Sequence, residues 1–501
     1  MTRTTIAGLS SVALGLTTAL AALPALADSV IRNVTIVDTT DGSLAPAMAL
    51  VIRDGTIAAV TADADAQPAA GDTMIDGAGA YVVPGFNDMH AHGLIAPAGA
   101  GEQAGDHVHP EVNSQQVNST LFLANGVTGF RQMSGSAAFV ELAHAMNAAS
   151  NAGTLAAPEV LQATGDLMGG QVRAPEDAAA FVDAQIAAGA DFLKIVGGRP
   201  DVIMAMLNAA AARSFPVAGH LQPMLDTATV SRIGWHAVEH LGATPGLLMD
   251  CAAAAPQIRA RMAENAGPPP QFPPTFLLSP MLYTGRMLSP ALGAIQATFQ
   301  PQACADLIQV FIANHTWQVP TLIRLRTMQQ AGDPVFRNDP QLRYLSPEAR
   351  AVWQRLGAEF AATFDAAAQA NFDGFYALQV RVTGMMNDAG MPLLAGSDFG
   401  GMWILPGFGL HAEFAELALA GLTPLQILQS TTLNPAMFLG RENSMGRVAE
   451  GYRADLVLLA QNPIEDAANL NGITGVMRAG QYHDRAALDT MLAEIEAGYS
   501  E

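Results

Sequence analysis

Tyr81-Val82-Val83-Pro84-Gly85-Phe86-Asn87-Asp88-Met89-His90-Ala91-His92 decides how the rest of the chain is read: an apolar run, a Pro-Gly break, then a second short run ending in two histidines one residue apart. On an extended backbone, side chains alternate between faces, so His90 and His92 project to the same side. Two imidazoles on one face can hold one metal ion. Asp88 lies two residues upstream and reads as a hydrogen-bond acceptor for a ligating ring. The pair alone fits two surface histidines equally well, so its meaning depends on what other strand ends carry.

Working downstream, short apolar runs alternate with Ala-rich helical stretches from Pro84 to Gly440. Gly126 to Arg131, Ala190 to Val196 and Pro216 to His220 read as strands, and Pro175 to Ala188 and Asp201 to Ala212 as helices. Pro175-Glu176-Asp177 places a proline and two acids in a first helical turn. Repeated strand–helix units predict a parallel α/β fold, which a closed barrel and an open doubly wound sheet both satisfy. Several apolar runs end in, or contain, a polar side chain: Lys194, His220, His240 and Asp398. A lysine within an apolar strand is costly to bury as an ammonium ion. It is either paired with a carboxylate or carries a depressed amine able to take up carbon dioxide. His220 and His240 are structural histidines or ligands, and Asp398 a helix cap or a ligand. In a (β/α)8 enzyme the carboxyl ends of the strands converge on one mouth, where such residues meet.

The two ends of the chain read differently. Val30 to Val37 and Ala49 to Ile57 alternate apolar and polar residues around an Asp54-Gly55 turn, and Ala454 to Leu459 and Gly475 to Gly480 repeat the pattern. These segments are expected to join as a small β-sandwich, 28–83 with 441–485, around a catalytic barrel at 84–440, with a C-terminal helix or tail at 486–501. Arg3, the uncharged run Ala7 to Leu23 and Ala25-Leu26-Ala27 read as a signal peptide over 1–27, implying a periplasmic or secreted protein without stable membrane association after cleavage. The net charge of −21 repels phosphate backbones and anionic lipid, which argues against nucleic-acid partners. Cys251 and Cys304 belong to no C-x-x-C motif, and whether they pair is open, as is a homo-oligomer. Gly267 to Pro290 reads as a surface loop able to act as a lid. A second histidine pair, His107 and His109, follows the Gly-rich stretch from Gly99 to Gly105.

As a set, the order H-x-H, Lys, His, His, Asp resembles the metal-dependent amidohydrolase superfamily, over nearly the whole mature chain. Pro84 to His92 looks like its first-strand motif, Ala395-Gly396-Ser397-Asp398 like its eighth, and Asn434-Pro435-Ala436 with Gly446 to Val457 like its returning tail. Within it, the chain is similar to the imidazolonepropionase-like group that includes Xaa-Pro dipeptidases (prolidase-like) and N-acyl amino-acid hydrolases. The resemblance implies a TIM-like (β/α)8 barrel and two divalent ions, zinc being favoured. His90, His92 and Asp398 would hold the more buried ion, His220 and His240 the second, and Lys194 as N6-carboxylysine would bridge them. It further implies that a hydroxide shared by the ions attacks an amide of an N-acyl amino acid or Xaa-Pro-like dipeptide, Asp398 carrying the proton. Arg131, Tyr283 and His411 are candidates for contacting substrate. Hydrolysis of esters, lactones or organophosphates uses the same chemistry. A cyclic-amide hydrolase or deaminase is disfavoured by Lys194. An exported metal- or ligand-binding protein is disfavoured because every ligand position is filled.

Overall fold

In the computed structural model, residues 28–94, 114–242, 244–264 and 272–499 are described. The segment read as a signal peptide and the His107/His109 pair lie outside them. Strands from the two chain ends do meet. Ser29–Val37 pairs antiparallel with Leu44–Arg53, which turns through Asp54 (φ 48°) and Gly55 (φ 72°) into Thr56–Ala62. Positive φ at both turn residues matches the right-handed twist of the flanking strands. Tyr81–Pro84 runs parallel to Ser29–Val37 and accepts Leu456–Leu459 from the far end of the chain, followed by Ile473–Arg478 and Gln481–Asp484. Hydrogen bonding joins these and Thr73–Asp76 into one eight-stranded sheet, rather than two separate sheets, among the described residues. The helix Arg485–Gly498 closes the chain, capped by the Asp484 carboxylate accepting from the Ala487 amide.

The middle of the chain builds a TIM-barrel-like set of parallel strands. Phe86–Ala91, Val127–Gln132 and Glu159–Ala163 form one sheet, and Leu193–Ile195, Val217–Gly219, Trp235–Glu239 and Trp317–Val319 another. Isolated parallel bridges, Thr164 to Phe192 and Met168 to Ile195, connect the two. On the other side the segment 392–399 lies between them. The Leu394 amide donates to Gln318 O at 3.0 Å, Ala395 O accepts from Met89 N at 2.9 Å, and the Asp398 amide donates to His90 O at 2.7 Å. Residues 392–398, expected as a strand, carry a single bridge at Leu393 and another just beyond at Phe399, so the ladders stop short of a closed barrel.

A further expectation is corrected. From Pro280 the supposed loop is an 18-residue helix, Pro280–Ala297, preceded by a short turn at Pro274–Phe276. Pro280 occupies the first turn, where a missing N–H costs nothing, and Met281, Leu282, Gly285, Ser289 and Leu292 form a buried stripe at helical spacing. That burial outweighs the backbone bond lost at Pro290 inside the helix. Cys251 and Cys304 form a disulfide, tying the chain beyond Trp235–Glu239 to the helix Pro301–Ala313. No described helix is long and apolar enough to cross a membrane.

Candidate metal centre

Each of the six residues singled out at strand ends lies in or just beyond a parallel strand or the 392–399 segment, and all six come together. His90 Nε2 is 3.2 Å and His92 Nε2 3.0 Å from Asp398 Oδ1, and His240 Nε2 is 3.7 Å from Asp398 Oδ2. Lys194 Nζ is 3.3 Å from His90 Nε2. The His220 ring stands beside that of His240, with centroids 5.1 Å apart. Donor atoms of His90, His240 and Asp398 all lie within 4.8 Å of one another. His240 (φ 59°) and Asp398 (φ 51°) hold the left-handed region, which non-glycine residues enter at a cost and which clusters at functional sites.

The rings are held from behind. His90 Nδ1 meets Glu239 Oε2 at 2.7 Å, and His240 Nδ1 meets Thr321 Oγ1 at 2.5 Å. Each ring therefore turns its Nε2 toward Asp398, an arrangement typical of imidazoles presented to an ion. Burial lowers the basicity of three of the rings, pushing His92 down to about 4, His220 to about 3 and His240 well below the ordinary value. Neutral imidazole is the ligating form. Burial opposes ionisation of Asp398, but His240 and His90 outweigh it and hold the carboxyl well below its usual range. Burial likewise pushes the Lys194 amine down to about 8. The donor set of imidazoles, one carboxylate and a lysine of lowered basicity fits divalent cations such as zinc.

Three other expectations change. Arg131 is not free to meet a substrate: its guanidinium is 1% exposed, donates to Glu239 Oε1 at 2.9 Å and lies 4.3 Å over the Phe192 ring. Asp88 does not support a ligating ring. It accepts from the Ser397 hydroxyl and amide and from the His90 amide, fixing the backbone on both sides of the site, while Glu239 takes the role expected of it. His411 is buried at the other end of the strands. Its Nε2 bonds Asn125 O, just before Val127–Gln132, and its ring packs on Phe86, which opens its strand. Tyr283 sits on the helix Pro280–Ala297 with its hydroxyl on Thr275.

Two further residues complete the site, neither among those singled out at strand ends. Glu239 stands directly before His240 at the end of the run Trp235-His236-Ala237-Val238, a position from which it could have been singled out, and it is fully buried. Arg324, on the helix Leu322–Gln329, places Nε 3.2 Å from Asp398 Oδ2, and no local pattern marks it. Glu239 is held down to about 2, burial being outweighed by Arg131 and His90. Glu239→Ala leaves Arg131 buried and unpaired, so about 3–5 kcal/mol of stability should be lost, and metal affinity should fall about 10–100-fold. Thermal unfolding and chelator competition measure both. A midpoint within about 2 °C of the parent would contradict the stability expectation.

The site defines a class: a buried cluster of imidazoles, one carboxylate and one lysine at the carboxyl ends of parallel strands. Residues 349–482 match the amidohydrolase family. A 63-residue stretch is 43% identical to an adenine deaminase of Rubrobacter xylanophilus, covering 13% of this chain and only 10% of that protein. Bottromycin amidohydrolase shares the fold over 94% of this chain and 90% of its own, with a TM-score of 0.64 and 20% identity. A Xaa-Pro dipeptidase solved with methionine in its active site does so over 91% of this chain and all (100%) of its own, with a TM-score of 0.60 and 18% identity. The family match and the shared fold bear out the resemblance read from the sequence, to the amidohydrolase superfamily with prolidase-like enzymes as structural neighbours.

Proposed function

We propose that this chain is an exported, metal-dependent hydrolase of amide bonds in small N-acyl amino acids or Xaa-Pro-like dipeptides. Its catalytic unit would be a (β/α)8 barrel over 84–440 with 392–398 as eighth strand, beside a β-domain of 28–83 and 441–485. The observation that carries the reading is the convergence of His90, His92, Lys194, His220, His240 and Asp398 from five places in the chain, with Lys194 buried beside His90. A lysine of lowered basicity can form a carbamate with carbon dioxide, and the resulting anion would complete a two-ion site. Two bound divalent ions would supply Lewis acidity toward a carbonyl and acidify a water. The protein's own part is to aim the rings, and to hold at Asp398 the proton taken from the attacking water until the leaving amine receives it. The Cys251–Cys304 disulfide supports an oxidising compartment, in keeping with a signal peptide at 1–27.

The substrate class is tested on purified mature protein with Xaa-Pro dipeptides, N-acyl amino acids, a lactone, an aryl ester and adenine. Amide turnover exceeding the rest in kcat/KM is expected. Ester or lactone turnover without amide turnover, or ammonia release from adenine, would overturn the amide reading while leaving the hydrolytic site in place.

A further inference from the structure

We propose that Arg324 is a positioning residue that couples the 272–279 segment to Asp398, so that the proton carrier is aimed only while that segment is seated. The inference rests on the role given to Asp398 above. The Arg324 side chain is buried, and its donors are divided between two neighbours. Nη2 donates to Leu277 O at 2.8 Å and Nη1 to Leu278 O at 3.1 Å, while Nε faces Asp398 Oδ2 at 3.2 Å. A guanidinium is rigid and planar, so its edges cannot be satisfied independently: moving the two carbonyls tilts the plane and swings Nε away from the carboxylate.

A second contact joins the same two parts. Leu278 O also accepts from the amide of Met402, four residues beyond Asp398, at 3.2 Å. The segment meanwhile reaches outward, since the side chain of Leu277 is exposed although its carbonyl is held inside. It therefore runs from solvent to the carboxylate through one buried cation.

The packing leaves a slot for that cation. A methyl group on Gly401 would lie 2.1 Å from Arg324 Nη1 and 2.3 Å from its Cζ. Gly401 is not among the glycines with positive φ, so alanine suits the backbone there, and the three atoms a methyl would meet first all belong to the guanidinium. Gly401→Ala should thus displace Arg324 without deleting any polar group.

The experiment compares the parent with Arg324→Met, Arg324→Lys and Gly401→Ala in metal content, in kcat and KM, and in amide hydrogen exchange at 277–290 and Met402 of the metal-free protein. The met and alanine variants should keep the parental metal content and KM, lose about 10–100-fold in kcat, and exchange faster at Met402. Arg324→Lys should recover part of the kcat. Parental kcat and exchange in Arg324→Met would overturn the proposal. A rise in KM alone would do so too, making Arg324 a substrate contact, as would loss of metal, making it a structural prop. If the parent hydrolyses nothing, the proposed function fails separately, and faster Met402 exchange in both Arg324→Met and Gly401→Ala still tests the coupling.

Discussion

Lys194→Ala should lose about 10³-fold or more in turnover, since losing the bridging ligand proposed for it would remove several kcal/mol of charge stabilisation and each 1.36 kcal/mol is tenfold. The reason lies in where the amine sits. Lys194 is on the short strand Leu193–Ile195, buried, with Nζ 3.3 Å from His90 Nε2. Burial drives its basicity down to about 8, so an appreciable fraction is free amine near neutral pH and can add carbon dioxide. An alanine there leaves space for a small carboxylate. Added acetate or propionate should therefore restore part of both metal content and turnover. Parental metal content and activity in Lys194→Ala with no acid added would show that the lysine bridges nothing.

Asp398→Asn should lower kcat about 10²–10⁴-fold, the range for removing a general acid–base group. The substitution suits the site. Asp398 has φ 51°, and asparagine is among the few residues that enter the left-handed region readily, so the backbone can stay in place. The amide oxygen can still face His90 and His92, but the group no longer accepts the proton. Single-turnover measurements separate this from weakened substrate binding. Turnover close to the parent's would remove Asp398 as proton carrier.

The metal-type cluster was legible because its chemistry breaks a simple rule: imidazoles, a carboxylate and a lysine stand at the ends of apolar strands, where burial makes them costly unless they have work to do. Their convergence followed from the parallel strand–helix pattern. Pairings across long separations were not legible. Arg131 was placed correctly at its strand end, but nothing local showed that Glu239, 108 residues on, would take its guanidinium. Arg324 gave no signal, because its importance comes from two backbone carbonyls and a carboxylate brought together only in the fold. The helix Pro280–Ala297 was masked by its prolines, whose meaning depends on position within a turn. The segment 392–398 reads as a strand from its apolar residues, yet its neighbours bond it only at isolated points and it ends in the left-handed turn at Asp398.

The most direct test is the metal content of the purified mature protein, followed through chelation and re-addition while amide hydrolysis is monitored. About two divalent ions per chain are expected, as a two-ion site requires, with hydrolysis lost on chelation and regained when zinc or manganese is restored. Amide hydrolysis persisting at the parental rate in protein stripped of metal would contradict a metal-dependent site built from His90, His92, Lys194, His220, His240 and Asp398.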